Sequence, residues 1–237
     1  MNDIDINCDV GEGIGNEHEL MPFIQSCNIA CGGHAGSELS MKEMVMLAKK
    51  HKVKIGAHPS YPDIENFGRK SIILGKEELA RTLLDQIETL RGIVVNCGGK
   101  LNHIKAHGAL YNDLMTNEEL SFEFLDIITP YKNDVKLFLP DRSVIANIAI
   151  RQGFNVVYEA FADRNYNDDL SLVPRKEKNA VITHPDTILK QVLEIKNNAT
   201  VTSISGLQIP ILAGTICLHS DTDNIIESLK YLNQNLN

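Results

Sequence analysis

The chain has 237 residues, 43% of them apolar, and its 23 Lys and Arg against 31 Asp and Glu give a formal charge of −8. That length suits one large α/β domain or two small ones. The acidic balance argues against nucleic acid or anionic membrane as the main partner, because both select basic surface.

The elements read in chain order as an alternation of strand and helix. The opening residues carry no basic stretch followed by an apolar one, so no secretory signal is expected. Residues 4–9 read as a strand and 26–31 as a second. Ser40 and Glu43 read as a capping box for a helix carrying Met41, Met44, Val45 and Ala48 on one face. Residues 53–58 form a third strand. A helix over 77–95 places Leu79, Leu83, Ile87, Leu90 and Val94 on one side and stops at Gly98-Gly99. Strands at 102–107, 135–139 and 155–161 follow, with a helix capped by Asn117 and another from about Ser143 to Gly153. Residues 185–196 are helical, 201–211 suggest a small hairpin, 215–219 form the last strand, and Asp223 starts a final helix.

About seven β/α units with no Pro/Gly/Ser-rich linker point to one domain over 1–237. A closed or nearly closed β/α barrel is the first reading and an open doubly wound sheet the second. Residues 59–74 and 162–179 are long polar loops, a length usually reserved for function. The most apolar run, 204–218, is broken by Ser205, Gln208, Pro210 and Thr215 and does not make a membrane span. The five irregularly spaced cysteines read as reduced, mostly buried thiols of a cytoplasmic protein. Cys27 and Cys31 lack the second pair that a zinc module needs.

Four of the eight histidines, His34, His58, His107 and His219, each follow a short apolar run and sit among small or turn residues. Repeated β/α folds place their chemistry just past the carboxyl ends of strands. Asp9, His34 and His58 fall on three successive strand ends, a donor set that suits a divalent metal or direct proton transfer. The glycine-rich turn after the first strand holds Glu12, but its spacing is not the dinucleotide fingerprint, and no P-loop is present. Glu159, Asp163 and Arg164 follow the sixth strand. Arg164 offers a fork for a carboxylate or phosphate, and the two acids suit acid–base work or holding that arginine. Lys105 precedes His107 by two residues, so an extended chain turns both inward, where the lysine needs a carboxylate or an anionic ligand. His219 and Asp221 add polar groups at the last strand end. His18, His51, His103 and His184 have no such setting and read as surface or structural.

The segments 5–13, 28–36, 55–63, 107–112 and 159–164 together resemble the LamB/YcsF family, that of the 5-oxoprolinase A subunits, and the resemblance covers nearly the whole chain. It implies an irregular seven-stranded β/α barrel similar to polysaccharide deacetylases. It also implies ATP-dependent opening of the 5-oxoproline lactam to L-glutamate, together with subunits B and C. On that reading ATP is handled mainly by the partners, and an activated substrate is hydrolysed in this barrel. Three positions depart from the family pattern: Ser37 stands where Asp is usual, Ala106 where Pro is, and Ser220 where Gly is. Ser37 removes a carboxylate from the neighbourhood of His34.

The resulting expectation is amide hydrolysis. Asp9, Glu12, His107, Glu159 and Asp163 are the catalytic candidates. Lys105, Arg164, His219 and Asp221 are the substrate-binding candidates, and Asp9, His34 and His58 the candidate metal ligands. The rivals are a metal-dependent deacetylase acting on an N-acyl substrate and a non-catalytic scaffold subunit that binds 5-oxoproline.

Overall fold

A computed structural model describes residues 5–236 of the chain. The predicted strand start at Ile4, and the reading of the residues before it, lie outside the described residues. In chain order the elements are β1 (Asp5–Val10), α1 (Glu17–Leu20), β2 (Ser26–Ala30), α2 (Glu38–His51), β3 (Lys54–His58) and α3 (Lys76–Asn96). There follow β4 (Leu101–Ile104), α4 (Gly108–Thr116), α5 (Glu118–Ile128), β5 (Lys136–Pro140), α6 (Val144–Arg151) and β6 (Asn155–Phe161). The chain ends with α7 (Pro185–Asn198), β7 (Thr200–Thr202), β8 (Gln208–Pro210), β9 (Thr215–Cys217) and α8 (Ile225–Asn235). Strands β1 to β6 and β9 are parallel and close into a seven-stranded barrel, with β9 between β6 and β1. Strands β7 and β8 pair antiparallel as a separate hairpin, as the sequence suggests. No helix among the described residues is long and apolar enough to cross a membrane.

The helices cover the barrel with the faces their periodicity dictates. Leu79, Leu83, Ile87, Leu90 and Val94 of α3 are all buried. Asn117 caps α5 by accepting from the Leu120 amide, and Ser143 caps α6 by accepting from the Ala146 amide. Three expectations need correction. Helix α2 starts earlier than predicted: Ser37 is its N-cap, and the reciprocal capping bonds run between Ser37 and Ser40. Helix α4 went unpredicted because it is short, has no side-chain cap and starts directly after His107. The strands that carry His107 and His219 are shorter than predicted, so both histidines sit in the loops just beyond.

The barrel interior is polar at its centre. Asn7, Asn28, His103, Lys105, Glu159 and Thr215 are buried there, where an unpartnered polar group costs about 1–3 kcal/mol. Each has a partner. Asn7 donates to Glu159 and Thr215, and Asn28 donates to Asn7 and Asp9. The His103 ring passes over Gly56 of the intervening β3 to reach the Asn28 side-chain oxygen at 2.7 Å and stacks on Phe138. Only glycine at position 56 permits this, because a Cβ there would lie 2.1 Å from His103 Nε2. A network satisfied this fully fixes the positions of its members. It forms the floor of the candidate site.

Candidate functional site

At the carboxyl end of the strands, Glu12, His34, His58 and His107 converge, with one ligand-capable atom from each lying within 4.8 Å of the others. His58 ends β3, while Glu12, His34 and His107 lie in the loops after β1, β2 and β4. The hydrogen bonds around the rings fix their tautomers. His58 Nδ1 donates to the Lys105 carbonyl (2.8 Å), and His107 Nε2 donates to the Phe67 carbonyl (2.9 Å). The Ser60 hydroxyl gives its only proton to the Tyr61 carbonyl, so it accepts from His34 Nδ1 at 3.0 Å. The other three ring nitrogens face the Glu12 carboxylate, and the His34 and His107 rings stack in parallel with centroids 3.5 Å apart, so their in-plane lone pairs run side by side. His58 Nε2 and His107 Nδ1 are 3.0 Å apart, and Glu12 Oε1 lies 2.9, 3.4 and 3.9 Å from the facing nitrogens of His34, His107 and His58. Lone pairs and a carboxylate facing one another repel unless a proton or cation sits among them.

This donor set fits a divalent metal. Donors around a tetrahedral ion at about 2.0–2.1 Å lie roughly 3.4 Å from one another, which these spacings bracket. Each histidine also donates its far nitrogen to a fixed oxygen, the usual support of a ligating imidazole. Burial opposes charge on all three rings, but Asp9 outweighs it at His58 and raises that ring's pKa; burial and then His58 hold His34 down to about 3, and burial with His58 and His34 holds His107 down to about 2. His34 and His107 therefore stay neutral and ligand-competent. Burial, reinforced by Asp9, raises the Glu12 carboxyl above its usual range.

Beneath this cluster lies a charged layer. Lys105 Nζ sits 3.0 Å from Asp9 Oδ1 and 3.0 Å from Glu159 Oε1, so the inward lysine does have its carboxylates. Burial alone would neutralise it, but Asp9, with Cys217 and Glu159, outweighs burial and keeps it charged. Asp9 likewise stays ionised against burial because His58 and Lys105 face it. Its Oδ2 lies 3.4 Å from His58 Nε2, so it borders the histidine cluster. Glu159 has its other oxygen on the Tyr111 hydroxyl at 2.9 Å. To one side, the backbone amide of His219 and the Thr222 hydroxyl donate to Asp163, and His219 Nδ1 donates to the same carboxylate at 3.0 Å. This leaves His219 Nε2 not bonded to Asp163, and a ring nitrogen of His219 lies within 4.8 Å of ligand-capable atoms of Asp9 and Cys217.

The loop over 59–74 closes the top. Phe67 has a positive φ of 56°, uncommon for a bulky residue, and its carbonyl holds His107 while its ring packs edge-on against His34 and His107. Next to it, Gly68 at φ 61° lies so close that a Cβ would be 2.9 Å from His34 Cβ and 3.0 Å from His107 Cδ2.

The LamB/YcsF family profile matches residues 4–237. The chain belongs to the LamB/YcsF family. It is 38% identical over 233 residues to the 5-oxoprolinase A subunit of Bacillus anthracis (strain CDC 684 / NRRL 3495), covering 96% of this chain and 92% of that one. It is 38% identical over 236 residues to the protein of the same name from Bacillus cereus (strain B4264), covering 97% and 93%. In structure it is similar to the lactam utilization protein from Thermus thermophilus, with a TM-score of 0.90 and 31% identity over 98% of this chain and 94% of that one.

Within this family member, the predicted site residues divide. Asp9, Glu12, His34, His58, His107, Lys105, Glu159, His219 and Asp163 form one connected set. Arg164 does not face it: its guanidinium donates to the loop carbonyls of Val173 and Ala180. Asp221 lies at the rim, where it holds Arg69 and Arg175. Sequence reading missed Ser60, Phe67 and these two arginines. All four sit in the two long loops, whose length was a signal, and Ser60 also falls in the family-like segment 55–63. His103, predicted as surface or structural, is structural and fully buried.

Proposed function

We propose that this chain, as a single β/α barrel domain, is the A subunit of a cytoplasmic ATP-dependent 5-oxoprolinase. It would open the lactam of 5-oxoproline to L-glutamate with two partner subunits, B and C. The observation that carries this reading is the convergence of Glu12, His34, His58 and His107 beside Asp9, Lys105 and His219, in a homologue of the 5-oxoprolinase A subunits. ATP activation, handled mainly by the partners, suits a chain whose sequence has no P-loop.

Glu12, His34, His58 and His107 would hold a divalent ion, whose chemistry is to polarise a carbonyl and acidify water. The chain's own groups do the rest. Asp9, paired with Lys105, accepts a hydrogen bond from the attacking water and orients it toward C5 of the ring. His219, fixed by Asp163 through Nδ1, has Nε2 to carry a proton to the ring nitrogen as the C5–N bond breaks and that nitrogen becomes an amine. Lys105 balances the charge of Asp9, and Glu159, tied by Asn7 and Tyr111, positions Lys105.

The test is a glutamate assay on 5-oxoproline and ATP with the chain alone, with each partner, and with all three. Activity only in the full mixture supports the reading. ATP-coupled activity from this chain alone overturns the division of labour, and ATP-independent hydrolysis of acetylated amides favours a deacetylase.

A further inference from the structure

Two arginines meet at the rim of the barrel from different loops. Arg69 belongs to the loop 59–74 and Arg175 to the loop 162–179. Both reach Asp221, just past β9: Arg69 at 3.1 Å and Arg175 at 2.9 Å from the same oxygen, Oδ2. One carboxylate thus faces two guanidiniums. Arg164 lies close by and adds a third positive charge. The neighbouring Asp163, bonded to His219 and Thr222, offsets only part of that charge. Each of the two arginines uses one terminal nitrogen on Asp221, which leaves further N–H groups of both forks for another acceptor.

Arg69 also sits close to the histidine cluster. The Arg69 guanidinium lies 4.9 Å from the centre of the Phe67 ring, and that ring packs against His34 and His107 at 5.2 and 5.4 Å. One aromatic ring therefore separates Arg69 from the histidine cluster. The side chains of Arg69 and Arg175 are 49% and 29% exposed, so an incoming ligand reaches them.

We propose that Arg69 and Arg175 form an oxyanion-binding site at the barrel mouth. Asp221 holds the two forks in place until the carboxylate or phosphoryl group of a substrate takes their free N–H groups. Planar forks match both groups. That the oxyanion belongs to 5-oxoproline or its activated form rests on the function proposed above; the presence of an oxyanion site does not.

Calorimetric titration of the full chain tests this with three probes: 5-oxoproline, inorganic phosphate, and 2-pyrrolidinone, which has the lactam but no carboxylate. Arg69→Gln and Arg175→Gln should each weaken binding of 5-oxoproline or phosphate by about tenfold or more, and leave 2-pyrrolidinone unchanged. Asp221→Asn should strengthen oxyanion binding severalfold, a sign that misfolding does not produce. Arginine-dependent binding of phosphate without binding of 5-oxoproline supports the site and counts against the proposed substrate. The proposal is overturned if wild type binds neither anion, or if both arginine variants bind them as wild type does, whatever the assembled enzyme turns over.

Discussion

His58 and His107 meet nitrogen to nitrogen. Nε2 of one lies 3.0 Å from Nδ1 of the other, and each ring already donates its remaining nitrogen to a backbone carbonyl. His107 is held neutral and offers Nδ1 as a lone pair, whereas at His58 Asp9 outweighs burial and favours a proton on Nε2, or a cation in that proton's place. Glu12 and His34 border the same contact, a donor set that a shared proton or a divalent ion would satisfy.

The first prediction follows directly. Purified protein should carry about one divalent ion per chain, and His58→Ala or His107→Ala should lose it. Elemental analysis of the three proteins checks this. Metal-free wild type with full activity in the assembled complex would assign the cluster to proton transfer instead.

Gly68 is expected to be intolerant. Gly68→Ala forces a side chain into left-handed backbone, at about 1–2 kcal/mol, and pushes on His34 and His107. Thermal unfolding should show that modest loss, while metal occupancy or turnover falls by about tenfold or more because the rings move. A variant that melts lower yet works as wild type would show that the loop tolerates displacement without moving the histidines.

His103 predicts acid sensitivity. Burial, and then Lys105, holds its pKa well below the usual histidine value, whereas in the unfolded chain it titrates near about 6.5. Below that pH the unfolded state binds the extra proton, so stability falls as pH drops, by up to about 1.4 kcal/mol per unit from this group. His34 and His107, also depressed, act in the same direction. Denaturant unfolding between pH 7 and 4.5 should show a shallower slope for His103→Gln than for wild type. Equal slopes would mean that His103 is protonated in the folded chain.

Much of this was legible in the sequence because barrel strands announce themselves. Short apolar runs ending in His58 or Asp9 mark both a strand and the end that carries chemistry. Lys105 could be matched to a carboxylate on burial cost alone, and the structure supplies Asp9 and Glu159. The grouping of Glu12 with three histidines was not legible, because loop conformation sets it: Ser60 and Phe67 orient rings that follow them or precede them by tens of residues. Arg164 illustrates the opposite failure. A fork beside two acids looks like a substrate clamp, yet loop carbonyls with no sequence signature claim it. Ser37, read as a missing carboxylate, turns out to cap a helix.

The central claim is that hydrolysis happens in this barrel, and Asp9→Asn in the reconstituted three-subunit complex tests it most directly. The fold should survive, because Lys105 keeps Glu159, and an asparagine oxygen still accepts from Asn28 and Lys105. Glutamate formation from 5-oxoproline and ATP should fall by about 10²-fold or more, with the complex still assembled. Near wild-type glutamate formation would contradict the account and leave this barrel a binding scaffold for its partners.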